Sequence, residues 1–423
     1  MAEIRSLRAL EILDSRGRPT VQTTCELASG AHATVSVPSG ASTGAAEALE
    51  LRDGDPKRYR GLGCRRAVGN VNGPLNDELS SRRFGHQAAL DHAMLELDGT
   101  ENKSRLGANA ILSVSLAYAR ACAAEAEIPL YRQFAEILQP GKAMTYLPRP
   151  TINLFSGGAH AGGQMPIQDV LITATSANTI DDALSMTYAV FQAAADLCKR
   201  KYDMRALVAD EGGLAPDFPN VQTALDDAVT AIENAGYDPG RDVSICVDVA
   251  SSQFYADGRY QFEGSALTAT QMIDTIGSWV EQYPIVSVED GLSEDDWEHW
   301  PALRASLSGH ALVLGDDFLT TNPKRIRKAI ETNAADALLL KVNQIGSLTE
   351  AAEACRLARA AGWRVTVSAR SGETEDDWLA DLSVGWSGDQ LKVGSITRSE
   401  RLAKWNRLLV IESETGLPVV DWP

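Results

Sequence analysis

Apolar residues in the second half of the chain gather into six short runs, each closed by a charged residue. These are 244–247 before Asp248, 285–288 before Glu289, 311–315 before Asp316, 337–340 before Lys341, 365–369 before Arg370 and 390–391 before Lys392. Short apolar runs of this kind predict buried strands. The closing charges stand 41, 27, 25, 29 and 22 residues apart, about the length of one strand-plus-helix unit each. Helical periodicity fills stretches between and before them, at 180–200, 221–235, 268–283 and 348–361. Strands alternating with helices predict a parallel (β/α)8 barrel, in which the carboxyl ends of the strands converge on one mouth. Three carboxylates, two lysines and an arginine would then share one pocket.

The first third reads differently. Residues 20–27 and 31–37 pattern as strands around a Ser29-Gly30 turn, and helical patterns follow at 88–97 and 109–126. This predicts an α+β cap. Gln139-Pro140-Gly141 and Pro148-Arg149-Pro150 then punctuate the chain, so the expected domains are 1–138 for the cap and 139–423 for the barrel with the active site.

Composition narrows the partners. At 423 residues the chain is long enough for more than one domain. A formal charge of −18 argues against nucleic acid or an anionic membrane as main partner. The six cysteines are scattered without a C-x-x-C pair, which predicts reduced, buried thiols and a cytoplasmic setting. The first eighteen residues mix Glu3, Arg5, Arg8, Glu11 and Asp14 among apolar ones and do not read as a signal peptide. No apolar run is long enough to span a membrane.

Several groups carry chemistry, each with a plainer alternative. Asp248, Glu289 and Asp316 offer hard oxygen ligands suited to Mg²⁺; each could instead cap a following helix. Lys341 at a dry mouth beside cations is expected to have its ammonium form disfavoured and to serve as a base, or else to snorkel to solvent. In Asp210-Glu211-Gly212-Gly213, Glu211 is a general acid if burial keeps it protonated; a plain acidic turn competes. Ser39-Gly40-Ala41-Ser42-Thr43-Gly44 reads as a small-residue loop between a strand and a helix. It is either a linker or a lid whose Ser42 reaches a second metal ion. His160, in the glycine-rich stretch 157–163, is a lone histidine needing support from elsewhere. Arg370-Ser371 offers a bidentate guanidinium and a hydroxyl for a phosphate or phosphonate.

The chain resembles the enolase (phosphopyruvate hydratase) family. The resemblance is carried by Asp14-Ser15-Arg16-Gly17, by 38–44 with 47–53, by 97–103 running into 107–116, and by 210–213, 288–297, 338–346, 370–376 and 398–404. It implies an N-terminal α+β capping domain on a modified TIM-type barrel that departs from strict alternation in its early elements. It further implies Asp248, Glu289 and Asp316 as ligands of a first Mg²⁺, and Ser42 as a contact of the second of two. By the same resemblance Lys341 is the base and Glu211 the acid, with His160, Gln168 and Asp169 in active-site loops. Lys392 is a carboxylate contact, and Arg370 with Ser371 anchors phosphate. A Lys base working with Mg²⁺ is the known arrangement of enolase-superfamily sites. The implied substrate is a small phosphorylated carboxylate, and the implied assembly a homodimer or larger homo-oligomer.

Two positions depart from the family pattern. Gln168-Asp169 stands where the family has Gln-Glu, and Ala369-Arg370-Ser371 where it has His-Arg-Ser. A carboxylate one methylene shorter shifts the acid machinery by roughly 1 Å, a displacement able to cost about two orders of magnitude. Alanine at 369 opens space where the phosphorus group would sit. The implied activities are therefore a specialised paralogue, such as a carboxyphosphonoenolpyruvate synthase acting on 2-phosphoglycerate and an activated phosphonoformate, or an ordinary enolase. A third possibility, a catalytically silent scaffold, has no need of the retained Lys341, Glu211, Lys392 and acid trio.

Overall fold

The computed structural model describes residues 2–41, 44–204 and 207–422. The cap is built on a four-stranded antiparallel sheet ordered His32–Ser36, Pro19–Leu27, Ala2–Leu13, Arg83–Phe84. Helix Ala108–Glu125 lies on its inner face; a run of alanines lets it approach the strands closely, and almost all of it is buried. The strand Ala2–Leu13 was not read from the sequence, because its charges interrupt the alternation that marks a half-buried strand.

Eight strands close the barrel, in the order Arg149–Ser156, Asp169–Thr173, Ser244–Asp248, Ile285–Glu289, Leu312–Gly315, Ala337–Leu340, Arg364–Ser368, Gln390–Gly394. The first and eighth pair in parallel and complete the ring. The second strand runs antiparallel to both of its neighbours, so strict βα alternation fails at the start, as the resemblance implies. It is followed by two helices, Ile180–Tyr202 and Val221–Asn234, before the third strand. This reversal matters for the site: the beginning of the second strand, not its end, lies at the mouth, with Asp169 in register with Asp248.

Cap and barrel meet along several seams. Helix Leu130–Leu138 packs on Trp378–Gly385, and the approach is so close that a Cβ on Gly385 would lie 2.4 Å from the Tyr131 carbonyl oxygen. Ser39 and Gly372 exchange backbone bonds of 2.8 and 2.9 Å, fastening the small-residue loop to the chain after the seventh strand. That loop is not followed by a helix, contrary to expectation. Among the described residues the chain stays irregular until the single turn Tyr59–Gly61, because its Arg52 and Asp53 bond to cap backbone instead of supporting a helical ladder.

Candidate active site

Six of the strands that end at the mouth deliver a charge there. Asp248 and Glu289 are the last residues of the third and fourth strands, and Asp316 and Lys341 directly follow the fifth and sixth. Arg370 lies two residues beyond the seventh strand, and Lys392 is inside the eighth. All six are buried. None of the three acids caps a helix, and Lys341 does not reach solvent, so the plainer alternatives fall away.

Ammonium groups order the acids. Lys392 Nζ donates to Asp248 Oδ2 at 2.8 Å and to Glu289 Oε2 at 2.6 Å. Lys341 Nζ donates to Asp316 Oδ2 at 2.5 Å, and Gln344 Nε2 donates to the other oxygen at 2.8 Å. Burial pushes the Lys341 ammonium down, but the Asp316 and Glu289 carboxylates together hold its pKa above its ordinary value against the neighbouring cations Arg370 and Lys392. The expectation of a depressed lysine applies to one beside bound cations; in this arrangement its nearest neighbour is an anion. Burial also raises the Glu289 carboxyl, reinforced by Asp248, while Lys392 overcomes burial to lower Asp248.

The second strand and the histidine loop form the other wall. Asp169, fully buried, accepts from Ser156 Oγ at 2.7 Å and lies 2.9 Å from His160 Nδ1. The far ring nitrogen of His160 is 3.6 Å from Glu211 Oε1, and Asn153 Nδ2 donates to Glu211 Oε2 at 3.1 Å. The Glu211 turn depends on Gly212, at φ +90, and on Gly213, where a Cβ would meet Ser156 Oγ at 2.5 Å. Burial opposes charge on His160, yet Glu211 and Asp169 together raise its pKa to about 9. Burial raises the Glu211 carboxyl in turn, but His160, Arg401 and the two lysines bring it below its ordinary value. His160 and the neighbouring cations thus favour the Glu211 carboxylate over its acid, and burial alone does not keep it protonated. The raised group beside it is His160.

This pairing has a measurable consequence. The His160 imidazole is expected to titrate near pH 9 instead of 6.5 in an NMR titration of its ring nitrogens. Because the folded-state pKa is raised, its contribution to stability is complete below about 6.5 and is lost as pH climbs through 9. Asp169→Asn should move the titration back down; a wild-type ring titrating near 6.5 would refute the pairing.

Gln168 Nε2 donates to Asp248 Oδ2 at 3.1 Å, and Gln253 Nε2 donates to Gln168 Oε1 at 2.6 Å. Arg370 donates to both oxygens of Glu47 and to Asn343. Ser371 Oγ accepts from Arg16 at 3.3 Å, and Arg401 donates to the carbonyl oxygens of Arg370 and Ser371 at 2.7 and 2.5 Å. His160, Gln168, Glu211, Asp248, Lys341, Ala369, Arg370, Ser371 and Lys392 line one cleft. Ser42 lies outside the described residues. Sequence reasoning gave no role to Glu47, Asn343, Gln344, Arg16 or Arg401. Each falls inside or beside a segment carrying the resemblance, but a polar residue in a motif does not disclose its partner.

Among the described residues, two groups of acids and histidine are close enough to share an ion, with one donor atom from each within 4.8 Å of the others: His160–Asp169–Glu211 and Asp290–Asp316–Asp317. The expected trio Asp248–Glu289–Asp316 is not one of them. Lys392 binds the first two and Lys341 the third, drawing their oxygens toward ammonium nitrogens. Asp290 in turn accepts the backbone N–H groups of Asp316 and Asp317 at 2.9 and 2.8 Å, fixing the end of the fifth strand.

The family model described as Enolase, N-terminal domain matches residues 4–134, and that described as Enolase, C-terminal TIM barrel domain matches 144–420. The chain belongs to the enolase family. It is accordingly an enolase-type lyase in the broad sense, of a family that generally binds Mg²⁺ and acts on small phosphorylated carboxylates. By donor chemistry, though not by its spacing in this arrangement, the trio Asp248, Glu289 and Asp316 suits such an ion. Glu289 Oε1 is buried without a hydrogen-bond partner, an anomaly that a hard cation would relieve, and Asp248 and Asp316 supply oxygens of the same kind. Among the described residues no helix is long and apolar enough to cross a membrane, and all six cysteines are free thiols.

Proposed function

We propose that this chain removes the proton α to a carboxylate with Lys341 and expels the β-hydroxyl of 2-phosphoglycerate or a close phosphorus-bearing analogue. We further propose that it is specialised in the manner of a carboxyphosphonoenolpyruvate synthase. The observation that carries the general reading is the placement of Lys341, Lys392 and Arg370 among buried acids at one mouth. Taking a proton from beside an ionised carboxylate concentrates negative charge, and only a dense, preorganised array of positive charge makes that accessible. Asp248, Glu289 and Asp316 would hold Mg²⁺, which supplies Lewis-acid stabilisation of that charge when bound.

Lys341 accepts a proton only after giving up its own, and Asp316 governs how readily it does so. Lys392 faces the same acids and is suited to meet the substrate carboxylate. Arg370 and Ser371 would orient the phosphorus oxygens. On the opposite wall, His160 carries the proton and lies beside Glu211, so the pair is suited to protonate the departing hydroxyl.

Specialisation is supported by the two altered positions. Ala369 is buried in the cleft lining between Ser368 and Arg370, where a histidine ring would otherwise take up room. Asp169 spends its carboxylate on His160 and Ser156. We place the working enzyme in the cytoplasm as a homodimer or larger homo-oligomer, acting on small molecules and not on nucleic acid or membrane.

The test is phosphorus NMR of the protein with Mg²⁺ and 2-phosphoglycerate, with and without a nucleotide-activated phosphonoformate. A new phosphonate ester formed only when both are present is the expected result. Phosphoenolpyruvate in both tubes would assign an ordinary enolase, and no turnover in either with metal still bound would favour a binding protein.

A further inference from the structure

Both terminal nitrogens of Arg370 point to a single carboxylate, and that carboxylate comes from the cap. Nη1 donates to Glu47 Oε2 at 3.1 Å and Nη2 to Glu47 Oε1 at 3.2 Å, while Nη1 also reaches Asn343 Oδ1 at 2.9 Å. The side chains are 3% and 8% exposed, so solvent screens the pair weakly. Glu47 Oε1 additionally accepts from the Gly44 N–H at 3.1 Å and from Gln344 Nε2 at 3.4 Å. Gln344 is the residue that also holds Asp316. One cap carboxylate therefore touches the small-residue loop, the guanidinium at the mouth and the network behind Lys341.

We propose that Glu47 is a positioning and affinity-setting residue: it fixes the Arg370 guanidinium and partly neutralises it, so that the site holds phosphorus anions less tightly than an unopposed arginine would. This rests on the reading of Arg370 as the anion anchor. An anion on the guanidinium lies within several ångströms of the Glu47 carboxylate. At an effective dielectric constant of about 20, like charges at about 6 Å repel enough to change binding roughly tenfold or more. Weaker holding has a use, since an anionic product bearing the same phosphorus group must also leave.

The experiment is calorimetric binding of inorganic phosphate to the full chain, at about pH 6 and about pH 8, where the ligand carries on average fewer and more charges. Glu47→Gln keeps the shape and one acceptor while removing the charge. It should bind phosphate roughly tenfold tighter than wild type, with the larger gain at the higher pH. Asn343→Asp places a second negative charge on the same guanidinium and should weaken binding by roughly the same factor, which keeps the proposal testable if the first variant fails to fold. A role in packing alone would weaken binding in both variants and at both pH values. If Arg370→Gln abolishes phosphate binding while Glu47→Gln binds no tighter than wild type, the inference about Glu47 is overturned and the anchor stands. If Arg370→Gln binds phosphate as wild type does, the anchor reading fails and takes the inference with it.

Discussion

Lys341→Met is expected to lower exchange of the 2-phosphoglycerate α-proton with deuterated solvent by about 10⁴-fold, at the upper end of what a positioned base contributes. Exchange followed by proton NMR isolates this step from loss of the hydroxyl. Methionine approximates the length of the lysine stem without offering a lone pair on nitrogen, but it leaves Asp316 buried without its ammonium partner. A loss of activity could then reflect a disturbed fold. Lys341→Arg separates the causes: it keeps a cation for Asp316, yet a guanidinium does not give up its proton at accessible pH. Both variants should lose exchange, whereas only the methionine variant should lose thermal stability. Exchange persisting in either one would remove Lys341 from the role of base.

The parallel part of the barrel was legible because strands buried on both faces are uniformly apolar, so a charge that ends such a run stands out. Asp248, Glu289, Asp316, Lys341, Arg370 and Lys392 all came to the mouth for that reason. The second strand was illegible by the same logic. It runs backward, so its carboxylate at the mouth, Asp169, opens the strand instead of closing it, and only the family resemblance pointed to it. Charge states were less accessible still. Glu211 was read as protonated by burial and a neighbouring charge, and Lys341 as depressed beside cations, but around each the charged partners, led by His160 or Asp316, weigh against burial. Those pairings join residues 51 and 25 positions apart and depend on side-chain placement that no periodicity encodes. Likewise, Glu47 is separated by 323 residues from the arginine it binds.

Restoring the family residues with Asp169→Glu and Ala369→His is expected to raise conversion of 2-phosphoglycerate to phosphoenolpyruvate by about two orders of magnitude, read as absorbance of the enol product under saturating Mg²⁺. Asp169 is entirely buried and already holds Ser156 and His160 at 2.7 and 2.9 Å, so an added methylene cannot leave that wall unchanged. The longer carboxylate must advance toward Glu211 and the cleft, which moves His160 and its proton with it. On the other side, a ring at 369 would fill space next to Arg370 and bring another donor toward the phosphorus oxygens. Neither substitution alone should recover the full gain, because each alters a different wall of the site and misplacement on either wall limits the step. The same double variant should lose any reaction with a bulkier phosphorus partner, since a ring at 369 would occupy cleft space beside Arg370. An unchanged rate with 2-phosphoglycerate, in a variant that still binds metal and melts as wild type does, would sink the account of these two positions as a retuned pocket.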